Sequence, residues 1–285
     1  RVVQGFARDD PFTVVLEHFL TDTADHADYV LPATTQLEHL DLHTSYGHTW
    51  ALINEAAIAP VGEARPNTQI FRDLATRMGY TEDCFRDDDE ALARVAFTGP
   101  VTLQALREHG WVQLPIAEAP FAEGAFPTAS GRCQIDSKTH GVPDHVDNHE
   151  CEARTPELAR RYPLAMISPP ARNFLNSTFV NVKSLRDIEG EPLLEMHADD
   201  ASARHIESGG MVRVHNERGS YLCRVAVSAR ARRGVVNGLG VWWRKLGAGG
   251  TNVNEVTHQQ LTDLGRAPSF YDCLVEVQLA EPVSP

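Results

Sequence analysis

Two groups of side chains in this sequence have types and spacing that could do chemistry. The first is His43, Tyr46 and His48, two imidazoles and a phenol gathered about Gly47. Imidazole titrates near neutrality, so such a set can give or take protons beside a reacting group. The surrounding stretch, Glu38 to Trp50, also reads as an ordered polar surface loop. The second group is Arg172, Asn173, Asn176, Ser177 and Thr178. It follows the apolar run Leu164-Ala165-Met166-Ile167 and then Ser168-Pro169-Pro170. The prolines fix φ and remove two backbone donors, so the chain must leave a sheet there. A guanidinium fork, amides and hydroxyls at the end of a strand suit a polar ligand with many acceptors, such as a pterin or a phosphorylated nucleotide. A loop whose side chains satisfy one another has the same composition.

The bulk properties narrow the field. The 285 residues suffice for one large or two ordinary domains, with 42% hydrophobic and 23% charged residues, as in an ordinary globular protein. A formal net charge of −13 argues against a nucleic-acid surface, and no run approaches the length of a membrane span. The five cysteines, Cys84, Cys133, Cys151, Cys223 and Cys273, form no CxxC pair, and the 13 histidines form no HExxH. No metal ligands are therefore assigned, and the thiols read as reduced and scattered through the core. The chain opens on Arg1-Val2-Val3, with neither an initiator Met nor a signal peptide, which suggests a fragment or a processed piece.

The elements that must position the two groups can be read next. Phe12 to Phe19 reads as a strand buried on both faces at its Val-Val-Leu centre. Thr21-Asp22-Thr23-Ala24 offers a helix cap, and Asp28 to Pro32 a second strand stopped by proline. Strand, capped helix and strand suggest a Rossmann-like parallel sheet, whose ligand loops would be Thr21–Ala24 and Ala33–Gln36. Asn67 to Met78 is an amphipathic helix, capped by Asn67, with Ile70, Phe71, Leu74, Ala75 and Met78 on one face and Gly79 as its stop. Further helices start at Asp87-Asp88-Asp89-Glu90 and at Thr102, the latter ending at Gly110, with Trp111 a packed indole. Cys133 to Asp136 looks like a short strand, and 138–163 is a proline-punctuated boundary. Beyond it, short β runs dominate: 164–168, 193–197, 211–216, 221–228, 235–243 and 273–279. A helix over 201–206, capped by Asp199 or Asp200, interrupts them, and Glu217-Arg218-Gly219 marks a hairpin. Six short strands suggest a small closed barrel. No GxGxxG follows a strand and no GxSxG elbow occurs, which disfavours a nicotinamide dehydrogenase and a serine hydrolase.

Several segments together resemble one family. LEHFLTDTADHADYVLPATTQLEH followed by GEARPNTQIFRDLATRMGY is similar to a strand, T-x-T-A-x-x-A-D-x-V-L-P, a Glu-bearing loop and a helix ending in R-x-G. Phe126 to Arg132 resembles its F-x-T-x-S-G-[KR] turn. Ile167-Ser168-Pro169 to Ser177, His197 to Ala201, Gly209 to Val214, Arg218-Gly219 and Asn252 to Thr257 follow the pattern of a molybdopterin-dinucleotide-binding domain. The chain thus resembles a C-terminal portion of the dimethyl-sulfoxide-reductase and formate-dehydrogenase family of molybdopterin oxidoreductases.

The resemblance implies an α/β plus β fold. Residues 1–155 would end a Rossmann-like domain, and 160–285 would form a double-psi β-barrel that binds the molybdopterin dinucleotide. It implies two molybdopterin guanine dinucleotides carrying molybdenum or tungsten. Thr21, Thr23, Ser168, Arg172, Asn176, Ser177, Thr178 and Asn254 would line them. His197 and Asp200 would sit at a helix start that favours phosphate, or, for Asp200, serve as a plain cap. His43, Tyr46 and His48 would be the catalytic candidates, acting on a small-molecule substrate. The family's iron–sulfur cysteines and its metal-ligating residue have no counterpart here. The expectation is therefore an inactive fragment that works with an N-terminal half of the same enzyme and with an electron-transfer subunit. It would be soluble and cytoplasmic, with a periplasmic location open. The competing reading is a non-catalytic protein whose double-psi barrel binds a cofactor or partner without chemistry.

Overall fold

The computed structural model describes residues 2–97, 99–142 and 144–280. The chain forms two compact units, 1–134 and 135–285. The division lies ahead of the expected 155–160 boundary because side chains near residue 150 are bonded into the second unit. Among the described residues, no helix is long and apolar enough to cross a membrane.

The first unit opens with a short helix α1 (Val2–Phe6) and two strands, β1 (Val14–Glu17) and β2 (Tyr29–Pro32). β1 and β2 pair in parallel, Val14 opposite Tyr29 through Glu17 opposite Pro32. The expected parallel pair is present. Its expected burial is not: Val14 is exposed, Val15 to Glu17 are half-buried, and the sheet has two strands. Between the strands, Thr21 Oγ1 accepts from the Ala24 amide at 3.3 Å and starts a 3₁₀ turn over Ala24–His26. Glu38 to Trp50, expected to be a loop, contains β3 (Asp41–His43) and leads into β4 (Trp50–Asn54), its antiparallel partner. β3, Asp-Leu-His, is too short and polar to show in the sequence.

Helix α2 (Asn67–Met78) ends at Gly79, whose φ of +81° supplies the left-handed stop. Its N-cap position is Pro66, so Asn67 is the first helical residue and not a cap. The apolar face is only partly used: Ala75 is buried, whereas Phe71, Leu74 and Met78 are exposed. Helices α3 (Asp89–Val95) and α4 (Leu103–His109) are capped as anticipated, by Asp88 on the Ala91 amide and Thr102 on the Ala105 amide. Trp111 opens β5 (Trp111–Gln113), which pairs with β4; its indole meets Trp50 edge-on at 4.6 Å and stays half exposed. Ala51, Val101 and Leu106 form the buried centre beneath this sheet. Cys133 to Asp136 is not a strand; the nearest pairing is a single bridge between Ser137 and Gly141.

The second unit begins with α5 (Pro156–Arg161) and contains β6 (Leu164–Ile167), α6 (Lys183–Glu189), β7 (Leu193–Met196), α7 (Ala198–Ser202), β8 (Met211–His215), β9 (Ser220–Val227), β10 (Val235–Leu239) and β11 (Cys273–Leu279). The six strands close into a barrel in the order β10-β6-β11-β8-β9-β7. Two pairs are parallel, β6 with β10 and β7 with β9; the other four are antiparallel. Alternating residues turn inward, as along β9, where Tyr221, Cys223 and Val225 join Met166, Leu194 and Val275 in the core. Burial raises the Cys223 and Cys273 thiols to about 12, so neither is a nucleophile near neutrality. Cys84 and Cys133 are exposed rather than in the core. The expected strand over 235–243 stops at Leu239 because Gly240 turns to φ +73°.

Candidate cofactor-binding surface

Strand directions decide which loops share a barrel end. β6 and β10 are parallel, so Ser168 and Gly240 leave the barrel at the same end. β11 runs antiparallel to β6, so the segment entering β11 at Cys273 lies there too, as does the β8–β9 hairpin over 216–219. β7 runs antiparallel to β10, so His197 and α7 emerge at the opposite end, as does the 228–234 turn. Strands of four or five residues separate the two ends by roughly 15 Å. The resemblance-derived set is therefore divided: Ser168, Arg172, Asn176, Ser177, Thr178 and Asn254 at one end, His197 and Asp200 at the other.

At the first end two loops are joined. Phe174 packs edge-on to Trp242 at 5.2 Å, and Ala171, Val180 and Trp242 complete a small buried cluster. The Trp243 indole donates to the Ser177 carbonyl at 2.8 Å, and Asn252 Nδ2 donates to the Trp242 carbonyl at 2.8 Å. The Gly240 amide donates to the Pro169 carbonyl at 2.9 Å. A Cβ on Gly240 would lie 3.0 Å from the Ala171 Cβ, so both its positive φ and the close approach call for glycine. Ser168 is buried and donates to the Phe270 carbonyl at 3.3 Å, tying in a third segment. Sequence reasoning passes over Trp242 and Trp243, which hold this surface together; two adjacent tryptophans after a strand are the available signal.

What this framework presents is a set of unspent polar groups. Arg172, Asn176, Ser177, Thr178 and Asn254 are exposed. Among the described residues, the only bonds they make go through their backbones: Leu175 and Thr178 exchange main-chain bonds around Asn176, which sits at φ +53°, and the Asn254 amide donates to Asn252 Oδ1 at 3.0 Å. Asn173, by contrast, is consumed by Glu189, to which it donates from Nδ2 at 2.7 Å. The space beneath the loops, lined by Tyr221, Gly238, Trp242 and Val253, is only about 10 Å³. The surface is therefore a platform on a closed barrel end, not the mouth of a pore.

At the other end the side chains are occupied by the fold. His197 Nδ1 accepts from the Asp199 amide at 3.1 Å and caps α7, the role expected of Asp199 or Asp200. Asp200 lies inside that helix, buried, and its Oδ2 accepts from the Gly234 amide at 2.7 Å.

In the first unit, His43, Tyr46 and His48 share the β3–β4 hairpin. Tyr46 is fully exposed, His48 Nδ1 accepts from the Trp50 amide at 3.2 Å, and His43 Nε2 stands 3.9 Å from Asp41 Oδ2. A cleft of about 400 Å³ near their base is lined instead by Thr34, His39, Asp41, Asn67 and Asp89. His39 Nδ1 is 2.8 Å from Thr34 Oγ1, and nothing in the sequence around His39 singles it out. Thr21 caps its turn and the Thr23 carbonyl accepts from His26. Among the described residues no three His, Cys, Asp or Glu side chains form a metal cage.

Glu38 fixes the loop between β2 and β3. Its carboxylate accepts from the Thr35 amide at 2.7 Å, the Val61 amide at 2.6 Å and the Thr35 hydroxyl at 2.8 Å. These donors, the Thr35 amide first, hold its pKa below the ordinary glutamate value. A pKa lowered by folding adds stability above the unfolded value, about 4.3, that is lost as the pH falls through the folded one. Glu38→Gln is accordingly expected to be less stable than the parent at pH 7, with the gap closing on acidification below pH ~4. Denaturant titrations at the two pH values check this; a gap independent of pH would contradict it.

The comparisons with known proteins agree with this architecture. Residues 164–274 match the family model described as Molydopterin dinucleotide binding domain, and residues 1–77 match that described as Molybdopterin oxidoreductase. By these matches the chain is similar to molybdopterin oxidoreductases over the portion that carries the dinucleotide-binding domain. It is 34% identical to the probable oxidoreductase YoaE of Bacillus subtilis, over 98% of this chain and 41% of that protein. It is 32% identical to a putative dimethyl sulfoxide reductase catalytic chain of Halobacterium salinarum, over 91% of this chain and 33% of that protein. The chain thus spans between a third and two fifths of these relatives. The fold resembles acetylene hydratase from Pelobacter acetylenicus, with a TM-score of 0.80 over 98% of this chain, 41% of that one, and 21% identity.

Proposed function

We propose that this chain is the C-terminal portion of a molybdenum or tungsten oxidoreductase, and that the 168–178 and 240–255 loops at one barrel end hold molybdopterin guanine dinucleotide. The observation that carries the reading is the set Arg172, Asn176, Ser177, Thr178 and Asn254: exposed side chains, none bonded to another described residue, on loops locked together by Trp242, Trp243 and Gly240. Their chemistry fits the group. A guanidinium pairs with phosphate through two parallel bonds, amides match the donor and acceptor edge of a pterin, and hydroxyls serve either. The metal, once bound, supplies the redox chemistry. The residues of this chain bind and orient its ligand.

In finer detail, we read the six-stranded barrel with its two parallel pairs as a double-psi barrel, and β1–β2 as the end of a Rossmann-like sheet. Two dinucleotides would be bound, with Thr21 and Thr23 among the residues that line them. The remaining polypeptide would bring the metal ligand, any iron–sulfur cluster and the contact with an electron-transfer subunit. His48 has Nε2 available to a substrate while Nδ1 is held by Trp50, which suits a proton-transfer role on the hairpin with His43 and Tyr46.

Cofactor and metal analysis of the complete gene product tests the reading. Pterin, guanine nucleotide and molybdenum or tungsten are expected together. In the same preparation His48→Ala is expected to lower turnover with cofactor content unchanged. A complete gene product that carries neither pterin nor metal, yet folds and binds a partner, would establish the non-catalytic alternative.

A further inference from the structure

Two loops make the platform, and a third segment is tied to both. Residues 257–273 leave the barrel after Val256 and return at Leu274. Both ends are held: the Val256 carbonyl accepts from Asn216 Nδ2 and Arg218 Nε, and the Leu274 amide donates to Glu150. Between them the chain doubles back on itself. Leu261 bridges Pro268, the Thr262 amide donates to the Ala267 carbonyl at 2.8 Å, and Ser269 Oγ donates to the Gln260 carbonyl at 3.2 Å. Each stem of this arm carries part of the platform. On the outgoing stem the Thr257 hydroxyl donates to the Asn254 carbonyl at 3.3 Å, and on the returning stem the Phe270 carbonyl accepts from Ser168.

His258 and Asp272 meet across the base of the arm. His258 Nε2 stands 2.9 Å from Asp272 Oδ1, and the two side chains are only 5% and 11% exposed. The Gln260 amide donates to His258 Nδ1 at 3.2 Å, so the ring carries its proton on Nε2, beside the carboxylate. The approach is too oblique for a formed hydrogen bond, and among the described residues neither atom has another hydrogen-bond partner. His149 lies edge-on to the His258 ring at 5.7 Å and donates from Nε2 to the Leu261 carbonyl at 3.0 Å. A buried polar pair adds little net stability. Well-packed apolar side chains in its place are often as stable or more so, whereas removing one partner alone is costly. What such a pair can fix is which groups meet, because each is satisfied only beside the other. Here that condition sets the spacing of the two stems.

We propose that His258 and Asp272 are positioning residues for the cofactor platform: the pair clasps the base of the 257–273 arm and so fixes where Asn254 and Ser168 stand. The proposal rests on the reading of the platform as the pterin site. Neither residue touches the ligand in this account. His258 acts through Thr257, its neighbour in the chain, on Asn254. Asp272 acts through Phe270, two residues before it, on Ser168.

Apolar replacement separates positioning from stability. In the complete gene product, the double variant His258→Leu, Asp272→Leu is expected to melt within about 3 °C of the parent. It is expected to retain less than about a third of the parent's pterin. The Asn254 amide, which donates to Asn252 Oδ1, is expected to exchange about 10-fold faster or more. The Val225 amide, bonded to the Gly210 carbonyl in the barrel, is the control and should keep its rate. If the double variant does not fold, Asp272→Ser opens the clasp more gently by admitting water to Nε2, and the same pterin loss and faster Asn254 exchange are expected of it. Asp272→Asn, which keeps an acceptor beside Nε2, should stay within about two-fold of the parent in both readouts. An Asn254 amide unchanged in the opened variants would overturn the proposal, and so would full pterin despite faster exchange. Asp272→Asn as impaired as Asp272→Ser, or pterin loss that only follows a falling melting temperature, would overturn it too. A parent without pterin whose Asn254 amide still responds to the variants sinks the cofactor reading alone.

Discussion

Replacing Glu150 by alanine is expected to destabilise the barrel unit by about 3 kcal/mol, the low end of the range for breaking a buried ion pair by removing one partner. Glu150 is 10% exposed, and its carboxylate grips the Arg218 guanidinium with both oxygens, Oε2 at 3.0 Å from Nη2. Oε2 also accepts from the Leu274 amide at 2.8 Å. The arginine in turn donates from Nε to the Val256 carbonyl at 2.9 Å, which Asn216 Nδ2 shares at 2.8 Å. One carboxylate therefore ties residue 150, the β8–β9 hairpin, the start of β11 and the turn after Asn254. Its loss leaves the two terminal nitrogens of a partly buried guanidinium and the Leu274 amide without their acceptor. For a unit of this size the melting temperature should fall by roughly 6–12 °C. Glu150→Gln, which keeps an acceptor for Leu274, should fall between. A melting temperature within a degree of the parent would show that solvent replaces these bonds at no cost.

The second large effect is expected at Gly240. Alanine there must adopt φ +73° and also place its Cβ 3.0 Å from the Ala171 Cβ and 3.4 Å from the Ala171 nitrogen. The left-handed conformation costs about 1 kcal/mol. The contact forces the 171 loop outward by a few tenths of an ångström, away from the Trp242 cluster. Gly234 supplies the control: its φ is +77°, a Cβ there meets nothing within 4 Å, and it lies at the opposite barrel end. Gly234→Ala should cost the backbone strain and leave cofactor content intact. Gly240→Ala should cost more, about 2 kcal/mol, and should also lower cofactor content. Equal behaviour of the two variants would mean that the loop junction has no part in binding.

These two sites also show what a sequence can and cannot disclose. The six barrel strands are legible because inward and outward residues alternate, and the Glu217-Arg218-Gly219 turn announces its hairpin. Helices α3 and α4 are legible from their local caps, α2 from its amphipathic spacing, and α2 and α4 also from the glycines that follow them. Interactions made across the chain are not. Glu150 and Arg218 lie 68 positions apart, and the acceptor that removes Asp200 from any ligand role is engaged by Gly234, 34 positions on. His197 takes the cap of α7 because the helix starts at Ala198, which puts Asp200 inside it. The Val-Val-Leu centre of β1 has the composition of a buried strand, and the described residues leave it partly uncovered. For the platform, residue types point to Arg172 and Asn176, and the resemblance adds Asn254. Strand direction is needed to separate them from His197, since a motif gives order along the chain and not position on a barrel.

One barrel end, on this reading, holds the dinucleotide. Pterin and metal content of the complete gene product, compared among Arg172→Ala, Asn254→Ala and His197→Ala, tests it most directly. All three side chains come from motifs of the same domain, yet only the first two lie on the platform. Arg172→Ala and Asn254→Ala are expected to retain less than about a tenth of the parent's pterin, as the loss of one charged bond worth about 1.5–3 kcal/mol implies for arginine. His197→Ala, which removes a helix cap, is expected to melt earlier and keep its pterin. Full pterin in the Arg172 and Asn254 variants, with loss confined to His197→Ala, would place the cofactor at the other end of the barrel and contradict the platform assignment.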